Sequence, residues 1–176
     1  MLAAMTINST PNRLRRSLLQ AALAAGSAPL FIRHAGADDS ERFALGLASG
    51  CPRPDGMVLW TRLSGAALPE RTPVAWELAE DEAFSRIAAQ GVELAVAADA
   101  HSVHAEPAGL APDRWYWYRF SALGQRSRIA RTRTAPAANA AVDRLRFAIA
   151  SCQRWDHGRY AAWGDVARQE LDLVLF

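Results

Sequence analysis

The sequence predicts a mainly β protein, a sandwich of short strands followed by the first β-α-β unit of a parallel α/β domain. Two observations carry that expectation. Between residues 43 and 134, short apolar runs alternate with turn signals at the spacing of a two-sheet sandwich. After residue 144, an apolar run, a stretch of helical periodicity and a second apolar run follow one another, which is how a parallel sheet opens.

The chain has 176 residues, 51% hydrophobic and 22% charged, enough for one ordinary domain and part of another. All 20 basic residues are arginine. A preference made for binding would not empty every surface position of lysine, so this reads as genome composition. Residues 1–37 hold Arg13, Arg15, Arg16 and Arg33 and no acid, which leaves 16 arginines against 18 acids in the remainder. A nucleic-acid binder needs a basic patch on its folded part. Beyond the Arg126 to Arg133 stretch there is none, so nucleic acid is not an expected partner.

The N-terminus reads as a targeting segment over residues 1–37. Arg15-Arg16 precede an apolar run from Leu18 to Ile32, and Ala35-Gly36-Ala37 has the small-x-small form of a cleavage site. The run is short and diluted by Ala, Gly, Ser and Pro, whereas a membrane-spanning helix needs about 20 apolar residues. An integral membrane protein is therefore not expected. Paired arginines before a weakly hydrophobic run resemble a twin-arginine signal, with Arg15 and Arg16 recognised by the twin-arginine export machinery. An ordinary secretory signal and an uncleaved anchor are the alternatives. The expected destination is periplasmic or secreted.

Residues 38–135 are the expected sandwich. Strand-like runs cover 43–49, 57–63, 72–79, 92–97, 102–106, 114–122 and 126–134, with turns at Pro52 to Gly56, Ser64-Gly65, Gly91, Ala98-Asp99, Pro112-Asp113 and Gly124. Val74, Trp76 and Leu78 alternate with Ala75, Glu77 and Ala79, so one face of that strand is buried. Residues 81–90 fit a helical turn as well as an edge strand. The most specific signal is Leu110, Pro112 and Tyr116, which resembles the corner where fibronectin type III domains turn into a late strand. There a tyrosine hydroxyl bonds the backbone just upstream. Trp115, Tyr116, Trp117 and Tyr118 must alternate faces. The outward pair is either a base- or sugar-stacking strip or a contact with the next domain, and the second reading is preferred because buried aromatics usually pack.

Residues 136–143 read as a linker, and 144–176 as the α/β opening. A strand over 145–152 has the mostly apolar character of one buried on both faces. A helix over 158–170 carries an apolar face of Tyr160, Trp163, Val166 and Ala167. A second strand spans 171–176. Sites in such sheets lie at the carboxyl ends of the strands, and Cys152 stands at one. A thiolate there is a soft ligand for iron or zinc. A lone cysteine is otherwise a small buried hydrophobe, and a disulfide with Cys51 is a third reading for an exported chain. His157 fits an exposed turn before the helix, and His101 and His104 fit surface positions. No carboxylate pair, glycine-rich phosphate loop or nucleophilic serine motif is present.

Several motifs recur in the order of a known family. Ser49-Gly50, Pro52, Pro54-Asp55-Gly56, Val58-Leu59-Trp60-Thr61-Arg62, Trp115 to Arg119, Arg131 to Thr134 and Ala150-Ser151-Cys152-Gln153 resemble the PhoD-type alkaline phosphatases. Cys51 departs from the aspartate common there. The resemblance implies an immunoglobulin- or fibronectin III-like sandwich followed by the truncated start of a calcineurin-like metallophosphoesterase domain. It implies hydrolysis of phosphate esters outside the cytoplasm at a site of iron and calcium, with Cys152 as an iron ligand and the other ligands downstream of Phe176. The expected partners are a phosphate ester and the export machinery, and a monomer is expected. On this reading the 176 residues are inactive alone. The rival from another class is a secreted fibronectin-type binding module without catalysis.

The signal reading has a direct test. Changing Arg15 and Arg16 together to lysine keeps the charge but removes the guanidinium pair, and export through the twin-arginine route should stop. Undiminished export of the Lys-Lys form would leave a general secretory signal.

Overall fold

The computed structural model describes residues 41–154, 156 and 160–176. These belong to a single compact unit spanning Ala37–Phe176. The signal segment with Arg15 and Arg16 lies outside the described residues, as does His157.

The first sheet contains β1 (Leu47–Arg53), β2 (Gly56–Arg62) and β5 (Ser102–Ala105) in the order β1-β2-β5, all antiparallel. The second contains β3 (Arg71–Ala79), β4 (Ile87–Val96), β6 (Trp115–Ala122), β7 (Gln125–Arg126) and β8 (Ala130–Arg133). Its order is β4-β3-β6-β7, and β8 pairs with β6 as well. β2, β3 and β6 alternate as the side-chain period of a half-buried strand requires. Met57, Leu59 and Thr61 of β2 face Val74, Trp76 and Leu78 of β3 and Tyr116, Tyr118 and Phe120 of β6 across one shared core. The fold is thus the mainly β sandwich expected.

Local chemistry explains where the strand boundaries moved. The expected strand over 43–49 begins instead as a 3-10 turn, Glu41–Phe43, that drops Phe43 into the core. β1 then starts at Leu47 and runs on to Arg53, because Arg53 pairs with Gly56 across a Pro54-Asp55 turn. A bulge between Gly50 and Arg53 places Cys51 at φ 48°. Gly56 has no substitute: a Cβ there would lie 2.5 Å from the Pro107 carbonyl oxygen. The ambiguous 81–90 segment divides. Asp81 accepts hydrogen bonds from the backbone of Ser85 and Arg86 in a tight turn, and β4 follows from Ile87. Gly91 lies beneath the Trp76 indole, where a Cβ would sit 2.6 Å from Cζ2.

The single strand expected over 126–134 is broken in two. Ser127 replaces a regular ladder position: its Oγ accepts the Phe120 N–H at 2.9 Å and donates to the Arg128 carbonyl at 2.8 Å. A hydroxyl that satisfies a neighbouring strand's amide removes the need for a continuous ladder.

The corner is present at Tyr116. Its hydroxyl accepts the Ala111 N–H at 3.0 Å and faces the Ala111 carbonyl at 3.4 Å. Thr134 Oγ1 donates to the same carbonyl at 2.7 Å and accepts the Arg114 N–H at 3.0 Å. Of the four consecutive aromatics, Tyr116 and Tyr118 are core residues. Trp115 and Trp117 face outward, and the Arg131 guanidinium lies 4.0 Å from the Trp115 ring centre.

After the sandwich, β9 (Phe147–Ile149) pairs in parallel with β10 (Leu173–Leu175), joined by α1 (Ala161–Val166). These elements are shorter than expected. The helix occupies six residues where 158–170 was anticipated, and it starts at Tyr160 (φ 51°) without a side-chain cap. A helix lacking a cap and packed along little of its length has few reasons to extend. The strand anticipated as buried on both faces is instead exposed, Phe147 by 50% and Ile149 by 73%. A two-stranded sheet gives each strand one hydrogen-bonded neighbour and does not cover its faces.

Two tyrosines make the core testable. Tyr116→Phe leaves the part-buried Ala111 amide without its acceptor and should cost about 1–3 kcal/mol, seen as a lower denaturation midpoint at unchanged slope. Tyr118 behaves differently with pH. Burial, partly offset by its hydrogen bond to Ser49 and by Arg128, pushes its phenol up to about 12. The unfolded phenol loses its proton near pH 10 while the folded one keeps it. Its contribution is therefore complete below pH 10 and is lost as pH rises towards 12, by about 2–3 kcal/mol. Tyr118→Phe should remove that share of the alkaline destabilisation. Identical midpoint-against-pH curves for the two proteins above pH 10 would refute it.

Candidate functional site

The residue singled out for chemistry, Cys152, lies three positions beyond the last residue of β9, at the carboxyl end of the parallel pair. The ladder reaches one step towards it, since the Ala150 N–H donates to the Leu175 carbonyl at 2.8 Å. Cys152 is exposed and holds φ 55°, in the left-handed region that non-glycine residues seldom adopt. Around it, Trp163 of α1 donates its indole N–H to Gln153 Oε1 at 2.7 Å and stacks on Phe176 at 5.5 Å. Arg154 holds Asp156 with both arms of its guanidinium. These contacts shape the loop from the strand to the helix and leave the Cys152 thiol facing solvent.

Cys51 is also exposed, and the two thiols are unbonded. The alternative of a disulfide between them is not formed in this structure. Cys51 occupies the β1 bulge, whereas Cys152 follows β9, so no shared element brings their Cβ atoms together.

A bound iron or zinc takes four or more ligands in a defined shell. Among the described residues, no group of three or more His, Cys, Asp or Glu side chains is arranged to hold an ion. Asp165 is paired with Arg168, and Asp172 with Arg133. These residues therefore supply one thiolate and do not make a metal centre by themselves. The two other histidines considered lie elsewhere. His104 is on the outward face of β5 opposite Trp60, and His101 immediately precedes that strand at φ 56°.

The sandwich and the parallel pair meet at a feature that sequence reasoning missed. Arg133, at the end of β8, spreads its guanidinium between Asp113 (2.5 Å) and Asp172 (2.6 Å). Asp172 also accepts the Arg146 N–H at 2.9 Å, and its own N–H donates to the Arg146 carbonyl at 2.8 Å. An open groove of about 820 Å³ runs alongside, lined by Pro52, Ala135, Val142, Leu145 and Leu173 among others. It lies at the amino ends of β9 and β10, the end opposite the one where parallel sheets bind ligands. The signal for Arg133 was the alternation Arg131-x-Arg133 against Trp115-x-Trp117. It could be read only once the pairing of β6 with β8 was known.

Comparison with known proteins agrees with these motifs. Residues 28–136 match the family described as PhoD-like phosphatase, N-terminal domain. The chain is 46% identical over 138 residues to alkaline phosphatase D of Bacillus subtilis (strain 168), a match that covers 75% of this chain and 24% of that protein. A solved structure of PhoD superimposes with a TM-score of 0.74 at 45% identity, covering 77% of this chain and 27% of the other. A sixth fibronectin type III domain, from human fibronectin type III domain containing protein 3, is 19% identical with a TM-score of 0.39, over 55% of this chain and 87% of its own. That likeness is too loose to carry an argument. The chain spans about a quarter of the length of the alkaline phosphatase relatives it matches. With its sandwich, its Tyr116 corner and this match over residues 28–136, the chain belongs to the PhoD-like phosphatase family through that family's N-terminal domain.

Proposed function

We propose that this chain is the N-terminal part of an exported alkaline phosphatase or phosphodiesterase that hydrolyses phosphate esters. The observation that carries the reading is a sandwich followed in sequence by a parallel β-α-β unit with an exposed thiol at its carboxyl end. That arrangement occurs in a chain 46% identical to an alkaline phosphatase along a quarter of its length. Export by the twin-arginine route places the enzyme in the periplasm or outside the cell, with a phosphate ester as substrate.

The division of labour follows from which donors are present. Iron and calcium, if bound in the whole enzyme, would supply an activated water or hydroxide and neutralise oxygen charge, and Cys152 is the residue of this chain that would help hold them. This chain's own contribution to such a centre is the Cys152 thiolate, held at a strand end by the Gln153–Trp163 hydrogen bond and by α1. The remaining ligands belong to sequence beyond the quarter of the relative that this chain spans.

The test compares two proteins supplied with iron and calcium. The 176-residue chain should show no turnover of phosphate mono- or diesters above its own Cys152→Ala variant. A chain extended to the relative's length should be active, and Cys152→Ala there should reduce activity by at least about tenfold to a hundredfold, the range seen for residues that merely support a ligand. An extended chain indifferent to Cys152→Ala would remove the ligand assignment. An extended chain without turnover would favour a non-catalytic binding module.

A further inference from the structure

We propose that Arg133 is a positioning residue: it fixes the parallel pair against the sandwich from behind, and so sets where the Cys152 end of β9 stands. Three observations support it. First, Arg133 reaches two carboxylates that belong to different parts of the molecule. Asp113 lies in the loop of the Tyr116 corner, and Asp172 opens β10. Second, Asp172 is not simply a surface acid. Its carboxylate and backbone together close the amino ends of both strands through Arg146. Holding Asp172 therefore holds β9 and β10 as one piece. Third, the guanidinium is flanked by the Trp115 ring, whose centre lies 5.5 Å away.

The geometry gives the contact its meaning. Each parallel strand is three residues long, about 10 Å. The Arg133 contact is at one end of that length and Cys152 lies beyond the other. The sandwich thus touches the α/β element at the end away from the chemistry. Among the described residues its route to that end is through the strands it fixes. A planar guanidinium suits this task because its fork engages two carboxylates at a defined angle, which an ammonium does not. Other links here are slender: the linker is irregular, and Phe147 and Ile149 are exposed rather than packed.

The two native thiols allow a direct measurement, because Cys51 is exposed on the sandwich and Cys152 is exposed beyond β9. Nitroxide labels on both, in the whole 176-residue chain, report the distance between sandwich and strand end by double electron–electron resonance. The unaltered protein should give one narrow distribution. Arg133→Met keeps the aliphatic stem on Trp115 and removes the fork, and should at least double the width. Asp172→Asn should do the same, and the double variant should be no broader than Arg133→Met alone. Asp113→Asn weakens the other arm of the fork, on the sandwich side, and should broaden the distribution too, by less than Arg133→Met, which removes both arms.

Amide exchange in the same variants separates positioning from general stability. Residues 147–149 and 173–175 should exchange at least tenfold faster in Arg133→Met and Asp172→Asn, while β3 and β6 stay protected. A width unchanged in Arg133→Met, or a loss of protection spread equally through β3 and β6, would overturn the proposal. These readouts do not depend on catalysis. Failure of the phosphatase reading would leave them standing, and their failure would leave that reading untouched.

Discussion

The hydrogen bonds at Ala111 are the constraint on which the rest of the molecule depends. There the Ala111 N–H donates to the Tyr116 hydroxyl, and the Ala111 carbonyl accepts from the Thr134 and Tyr116 hydroxyls. Tyr116 is the second residue of the strand that carries most of the aromatic core, and Thr134 directly follows the strand beside it. The corner thus fixes the start of β6 and the end of β8 together. It also places Asp113 where it can accept from Arg133, and Arg133 reaches Asp172 at the start of β10. A part-buried polar corner, two ion pairs and a strand start form one continuous path from the sandwich core to the parallel pair.

The two parts of that path differ in strength for physical reasons. The corner is backed by Leu110 and Tyr116, both buried, so its part-buried hydrogen bonds are anchored on the core. Arg133 and its carboxylates are partly exposed, and such pairs contribute on the order of 1 kcal/mol or less. The sandwich holds itself together by burying Met57, Leu59, Val74, Leu78, Tyr118 and Phe120 between two sheets. The parallel pair has no comparable core. Its position is set more by direction than by energy, which is why a forked donor stands at the junction.

The outer face of the second sheet shows a related use of arginine. Arg119 bonds Glu77 across the strands at 2.7 Å and lies 3.8 Å from the Phe84 ring centre, while Arg131 covers Trp115. Half-buried tryptophans beside planar cations need no further ligand to account for them. The outward aromatics are surface packing, with Arg133 extending the same row into the contact with β10.

The sequence by itself determined the sandwich, its corner and the family. Period-2 alternation, turn residues and the Leu110–Pro112–Tyr116 spacing are local, and local chemistry decides them. It also determined that a parallel β-α-β unit follows and that Cys152 stands beyond the end of its first strand. Tertiary structure decided everything that needs two distant segments to meet. The break at Ser127 exists because its hydroxyl satisfies Phe120, seven residues earlier and on another strand. The short helix and the exposed β9 reflect how few neighbours those segments have, which periodicity cannot register. Arg133 is one of 20 arginines in the sequence. It differs from the others because folding places carboxylates from residues 113 and 172 on either side of it, and no spacing along the chain encodes that meeting.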